Sequence, residues 1–222
     1  SKLGKHGPRI PGGGRQPEAW QSRTISELYQ AKRDGRKVTV PVARPLSTEV
    51  EKLPIDPWLL GYWLGNGDRN SARVTCHAED VDAIIKKISS ETVYRVGTVR
   101  PDSRSRATTI GIRGGLLCDL REHGIIGTKR IPSEYRRAAA WQRRDLLAGL
   151  LDSDGHICGR RGRVHFSSTD EYLADLVAEL ASSLGEVVHR RTVQASGYGK
   201  AVTSHEVHWK PTACPVDLPR KA

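Results

Sequence analysis

Apolar and polar positions along this chain fall into two successive series of short elements. The first opens at Asp56 and Pro57, an N-cap and a residue suited to a first helical turn, so a helix is predicted over 57–65. Alternation and helical spacing then predict a strand over 72–77, a helix over 79–88, strands near 94–99 and 108–113, and a helix over 116–122. The second series reads as a helix over 141–151, a strand over 163–168, a helix over 170–184 and strands near 186–193 and 205–209. Helix, strand, helix, strand, strand recurs, which predicts a pseudo-twofold pair of mixed α/β units. Upstream, Pro8, Pro11 and the run Gly12, Gly13, Gly14 predict a loop to about Pro17. Ile25, Leu28, Tyr29 and Ala31 predict a helix over 24–34 stopped by Gly35, and 37–42 alternates as a strand. The expected organisation is a basic arm and small subdomain over 1–52, a first half over 53–140 and a second half over 141–222.

Composition narrows the partner. The 222 residues carry a formal charge of +11, and clustered Lys and Arg gain affinity for phosphates by releasing condensed counterions, so nucleic acid is the expected ligand. A membrane is set aside, because no apolar run approaches the roughly 20 residues of a spanning helix. Arginines crowd the predicted strands and their loops: Arg69, Arg73, Arg95, Arg100, Arg104, Arg106 and Arg113 in the first half, Arg160, Arg161, Arg163, Arg190 and Arg191 in the second. That symmetric distribution marks the strands as DNA-facing, since arginine reads guanine edges and phosphates in a bidentate manner. Arg9, Arg15, Arg23, Lys32, Arg33 and Arg36 are expected to add phosphate contacts from the N-terminal segment. Cys76, Cys118, Cys158 and Cys214 lie far apart with no C-x-x-C pair, which predicts unpaired, half-buried thiols in a reduced, cytoplasmic protein. The sequence contains no Met, as expected of an interior segment of a longer polypeptide, and no signal segment is visible.

Two stretches carry the chemistry. Leu59-Leu60-Gly61-Tyr62-Trp63-Leu64-Gly65-Asn66-Gly67 and Leu147-Ala148-Gly149-Leu150-Leu151-Asp152-Ser153-Asp154-Gly155 are both apolar helices closed by a polar residue and a glycine. Gly61 with Gly65 and Gly149 with Ser153 give each a flat stripe, so the two helices are expected to pack closely and bring residues 66 and 154 together. Either stretch alone reads as an ordinary helix cap about as readily as a site; the pair, each followed by a strand and a helix, does not. A carboxylate at a helix C-terminus opposes the macrodipole unless a cation sits there, and a divalent metal held by carboxylate and backbone carbonyl oxygens would supply phosphodiester hydrolysis. Asp152 reads as a third acid of the site or, more readily, as a solvated helix-end side chain. His205 and His208 fall on opposite faces of a strand, which argues against a metal site there.

The second stretch resembles the LAGLIDADG signature almost letter for letter. The first is similar to the L-x-G-x-W-L-G-D-G form found in intein-borne homing endonucleases, and Lys129-Arg130-Ile131-Pro132 resembles their basic-x-Ile-Pro block. The resemblance runs from about Leu53 to Trp209. It implies an α+β fold of two αββαββ units whose antiparallel sheets straddle duplex DNA, acting as a monomer, with cleavage dependent on Mg²⁺ (Mn²⁺ or Ca²⁺ substituting in the site). Asp154, Asn66 and Lys129 would be the catalytic positions, and Asp154, Asn66 and the carbonyls of Gly65 and Ser153 the metal ligands. Either Lys200 or Lys210 would be the second-half lysine. The expected surroundings are an intein splicing domain and a bacterial or phage host protein, a replicative helicase by the look of the Leu-Pro-Ile-Asp-Pro-Trp entry. The chain lacks the splicing residues of an intein's ends, and Asn66 stands where the pattern has Asp; an amide brings no charge and cannot act as a base, so cleavage is expected to be impaired. A DNA-binding domain that has lost cleavage is the first alternative, favoured by Asn66. An RNA maturase is the second, opposed by the Lys-Arg-Ile-Pro block.

Overall fold

The computed structural model describes residues 21–38, 43–159, 162–197 and 200–221. The loop expected to Pro17, most of the strand expected over 37–42, and Arg9, Arg15, Arg160 and Arg161 lie outside them. The chain divides into two units, Ser1–Ala43 and Arg44–Ala222. In the first, α1 (Ile25–Arg33) starts on a capping box: the Glu27 amide donates to the Thr24 hydroxyl at 3.3 Å and the Thr24 amide donates to the Glu27 carboxylate at 2.7 Å. None of its residues is buried.

The second unit begins earlier than the expected boundary after residue 52. The Leu46 amide donates to the Ser183 carbonyl at 2.9 Å and the Thr48 hydroxyl to the Ala138 carbonyl at 2.7 Å. The buried Arg143 guanidinium ties this segment down by donating to the carbonyls of Ala138, Ser183 and Leu46.

The first half then runs α2 (Pro57–Asn66), β1 (Arg73–His77), α3 (Val81–Glu91), β2 (Arg95–Pro101), β3 (Ala107–Arg113) and α4 (Leu116–Glu122). A short α5 (Glu134–Arg137) leads into the second half: α6 (Ala140–Asp154), β4 (Gly155–Cys158), β5 (Arg163–Ser168), α7 (Glu171–Ser183), β6 (His189–Gly197) and β7 (Lys200–Trp209). Both sheets are antiparallel, in the orders β1-β3-β2 and β4-β5-β7-β6. With β1, β2 and β3 matched to β5, β6 and β7 the orders agree, which is the expected repeat.

One half departs from it. The second follows αββαββ, whereas the first lacks a counterpart of β4, reduced to a single bridge between Gly67 and Val74. The cause is local. Asp68 accepts from the Asn70 amide and the Ser71 hydroxyl, both at 2.9 Å, so the chain turns back within a few residues of α2 and leaves no length for a hairpin arm. β4 is implied by the αββαββ resemblance although the residue pattern alone does not give it, and β6 and β7 run longer than predicted.

Each sheet buries one face, with Val74, Ile110 and Ile112 from the first and Val164, Phe166, Val207 and Trp209 from the second. Between them lie α2 and α6. The Asp56 carboxylate accepts the Leu59 amide at 2.8 Å with Pro57 in the first turn, as expected, and Pro57 to Leu64 are all buried. Of the cysteines, all unpaired, Cys76 is buried and the other three exposed, rather than uniformly half-buried.

Asp145, half-buried on α6, supplies a stability prediction. Burial pushes its carboxyl up to about 6, and the neighbouring Asp217 and Asp56 add to the effect. The folded state therefore holds a proton that the unfolded chain releases near 3.8. Stability falls as pH rises from there to about 6 and stays lower above. Asp145→Asn is expected to stabilise the protein at about pH 8 by about 1 kcal/mol after allowance for solvent screening, a few degrees in Tm, and to be nearly neutral at about pH 4. Thermal melts at both pH values check this; an equal difference at the two would contradict it.

Candidate active site and nucleic-acid interface

The two motif helices meet backbone to backbone. A Cβ on Gly61 would overlap the Leu146 carbonyl oxygen, and one on Gly149 the Trp58 carbonyl oxygen, so the small-residue stripes are what permits the approach. At their C-terminal ends the same contact continues: a Cβ on Gly65 would overlap the Ser153 hydroxyl and stand 2.9 Å from Asp154 Oδ2. The Asn66 side-chain amide reaches the Ser153 carbonyl at 3.4 Å. Residues 66 and 154 are thus neighbours across the helix pair, and both retain accessible surface.

Two ammonium groups complete the place. Lys129 Nζ donates to the carbonyls of Leu64 and Gly65 at 2.9 and 3.2 Å, and Lys221 Nζ to those of Leu151, Ser153 and Gly155 at 3.1, 2.8 and 2.8 Å. Each lysine caps the negative end of one helix dipole. Lys129 holds a positive φ of 54°, a conformation that L-residues avoid unless their surroundings impose it, and its ammonium lies over the Trp63 ring at 5.4 Å. Burial lowers the pKa of both lysines, with Asp154 opposing it; burial raises that of Asp154, with Lys221 and Lys129 opposing. The carboxyl is crowded yet reachable, since Asp154 remains exposed in area.

Lys221 escaped the sequence reading, which looked to Lys200 or Lys210. Lys210 is exposed beyond β7, and the Lys200 side chain lies outside the described residues. The pairing has its own symmetry. Arg130, next to Lys129, holds Asp170 at the start of α7 at 2.8 Å, and Arg220, next to Lys221, holds Asp80 at the start of α3 at 2.6 Å. A doublet of basic residues after each half was the available signal.

Asp152 is buried rather than solvated. Its carboxylate accepts Trp58 Nε1 at 2.8 Å and the backbone amides of Asp217 and Leu218, which docks the segment that carries Lys221. Asp68 is committed to its own turn.

The residues present do not fit a divalent ion. Asp154 is the single carboxylate beside Asn66, two ammonium groups face the same point, and the Gly65 and Ser153 carbonyls expected as ligands already accept from them. Among the described residues no cluster of three or more His, Cys, Asp or Glu is placed to hold a metal. What the arrangement offers is one net positive charge beside a single carboxylate, with the Lys221 N–H groups given to three carbonyls and two of those of Lys129 to two more.

The sheets' solvent faces hold the basic residues unequally. Arg73, Arg95, Arg100 and Arg113 share the outer face of β1-β3-β2, with Arg104 and Arg106 at the β2–β3 hairpin and Arg69 in the turn after α2. In the second sheet Arg163 and Arg191 face solvent, but Arg191 is bonded to Glu206 at 2.6 Å. Arg190 points the other way, to Glu171 and Asp175 of α7. The expected symmetry in arginine is therefore not what the described residues display, because strand alternation sends Arg190 to the helix side. Among them no helix is long and apolar enough to cross a membrane.

Residues 141–208 match the family described as a LAGLIDADG-like domain. A replicative DNA helicase DnaB of Mycobacterium intracellulare is 39% identical over 155 residues, 70% of this chain and 23% of that protein, so the chain spans about a quarter of its relative's length. Among solved structures, mesophilic variants of the homing endonuclease I-DmoI resemble it with a TM-score of 0.47 at 11% identity, covering 75% of this chain and 93% of that one. I-DmoI in complex with DNA and Mn gives 0.42 at 12% identity, covering 70% and 89%. The N-terminal LAGLIDADG domain of DUF199/WhiA gives 0.42 at 12%, covering 87% and 89%.

Proposed function

We propose, from the premise that this chain belongs through residues 141–208 to the LAGLIDADG-like domain family, that it is the duplex-DNA-binding domain of an intein-borne homing endonuclease. Its cleavage centre is impaired by Asn66. The observation that carries this reading is the convergence of the α2 and α6 ends, where Asn66 and Asp154 lie together under the ammonium groups of Lys129 and Lys221. The lysine charges offset the negative helix ends and attract a DNA phosphate, and Asp154 supplies one acceptor for a proton. A second carboxylate is needed before the centre can hold Mg²⁺, and Asn66 does not provide it. The four arginines on the first sheet's outer face serve the DNA backbone and guanine edges. A replicative helicase precursor is the proposed host, supported by the match to the mycobacterial protein.

Duplex binding is expected to weaken with salt, with log K falling by about 0.9 per phosphate contacted. Removing residues 1–43, the first unit, is expected to weaken binding and flatten the salt slope by roughly two to four contacts, since Arg23, Lys32, Arg33 and Arg36 are exposed there. Titration of labelled duplex at several salt concentrations measures both. Unchanged affinity and slope would show that this unit does not touch DNA.

A further inference from the structure

The second sheet carries a row of histidines where the first carries arginines. In the ladder His156 stands opposite His165, His165 opposite His208, and His208 opposite His189, which puts one histidine on each strand and all four on the solvent face. Successive ring centroids are 5.0, 6.5 and 5.5 Å apart. From His165 to His189 the row spans at most about 12 Å, the width of the B-DNA major groove.

We propose that His165, His189 and His208 form a proton-dependent contact surface for duplex DNA, weak while the imidazoles are neutral and tightened as they gain protons. The inference rests on the DNA-binding reading above. Among the described side chains, fixed charge on this face is small: Arg163 and Arg191 against Glu206 leave one net positive charge, which three imidazolium groups would raise to four. The first sheet, with its four arginines, holds its charge at any physiological pH.

Charged groups from three strands face the row. Glu206, on the same strand as His208, lies 3.6 Å from His165 Nε2. Arg191 from β6 and Arg163 from β5 flank the row; His156 and Cys158 of β4 close the other side. Burial, then His189, Arg191, His165 and Arg163, hold His208 below the ordinary histidine value. On the bare sheet His208 therefore resists protonation. A phosphate backbone laid across it supplies the missing negative charge, so binding takes up protons, and by linkage lower pH tightens binding.

The test is fluorescence anisotropy of the full chain with a labelled mixed-sequence duplex of about 30 base pairs, at about pH 8 and about pH 5.5 and fixed ionic strength. The unaltered protein is expected to bind at least about tenfold more tightly at the lower pH, with a salt slope steeper by roughly two to three. The variant H165Q/H189Q/H208Q is expected to bind within about threefold of the unaltered protein at about pH 8 and to lose most of the pH dependence. NMR titration of the imidazole protons in the unaltered protein gives a second readout that needs no variant: adding duplex should move their midpoints up. A variant that keeps the full pH profile, or midpoints that ignore DNA, would overturn the inference and leave the DNA-binding reading standing. Absence of duplex binding at either pH would sink both.

Discussion

Gly149→Val is expected to cost at least about 4 kcal/mol of stability and to lower Tm by more than about 10 °C. A Cβ at this position would overlap the Trp58 carbonyl oxygen and lie 2.7 Å from the Tyr62 nitrogen. Both are backbone atoms of the buried stretch 57–64 of α2, so no rotamer change relieves the clash, and α2 and α6 must separate along the centre of the core. Overpacking against side chains typically costs 1–3 kcal/mol, and a backbone obstacle costs more; against a typical total of 5–15 kcal/mol that endangers folding. Gly159→Ala is the control, since a Cβ there meets nothing within 4 Å, and it is expected to stay within about 0.5 kcal/mol. Melting curves of both proteins decide. If Gly149→Val melts within two or three degrees of the unaltered chain, the helices do not cross on their backbones.

Asn66→Asp is expected to raise Mg²⁺-dependent double-strand cleavage at least about a hundredfold, equivalent to about 2.7 kcal/mol in the barrier. The exchange alters charge and basicity with almost no change of shape. It would set a second carboxylate beside Asp154 at the ends of two helices, where the residues now present offer one carboxylate against two ammonium groups. A metal held by two anionic oxygens can generate hydroxide and neutralise the leaving oxygen; an amide supplies neither the charge nor a base. Lys129 and Lys221 already cap the helix dipoles and would temper the repulsion between the two acids. Adding Asp154→Asn to the restored protein is expected to remove the gain. The assay is cleavage of plasmids carrying duplexes selected by the protein from a randomised pool, compared at equal occupancy. Equal rates for the unaltered and Asn66→Asp proteins would refute the role given to position 66.

The repeat was legible because it is written in periodicity and in small residues. Asp56 and Pro57 mark the start of α2, and Gly61, Gly65, Gly149 and Ser153 announce a close helix pair before any contact is seen. Asn66 and Asp154 lie together at the paired helix ends, and Lys129, flagged by its Ile-Pro neighbours, bonds the carbonyls beside them.

Features that depend on the partner of a residue rather than on its spacing were less legible. Lys221 stands far along the chain from the helix it caps, and its placement depends on Asp152, whose burial nothing in the local pattern discloses. Arg190 and Arg191 are adjacent in sequence yet serve opposite faces, one held by α7 and the other by Glu206. The missing strand of the first half follows from a tight Asp68 turn, which composition alone describes as any polar loop. The histidine row exists only in register: its four members come from four strands, and their sequence spacing shows no period.

The most direct test of a two-sheet duplex-binding surface centred on the α2 and α6 ends is hydroxyl-radical footprinting of the unaltered protein on a duplex selected from a randomised pool. Two sheets each following about one helical turn should protect a single stretch of roughly 15 to 25 base pairs on both strands. Protection shorter than about one turn, or none, with RNA bound in preference to the duplex, would contradict the account.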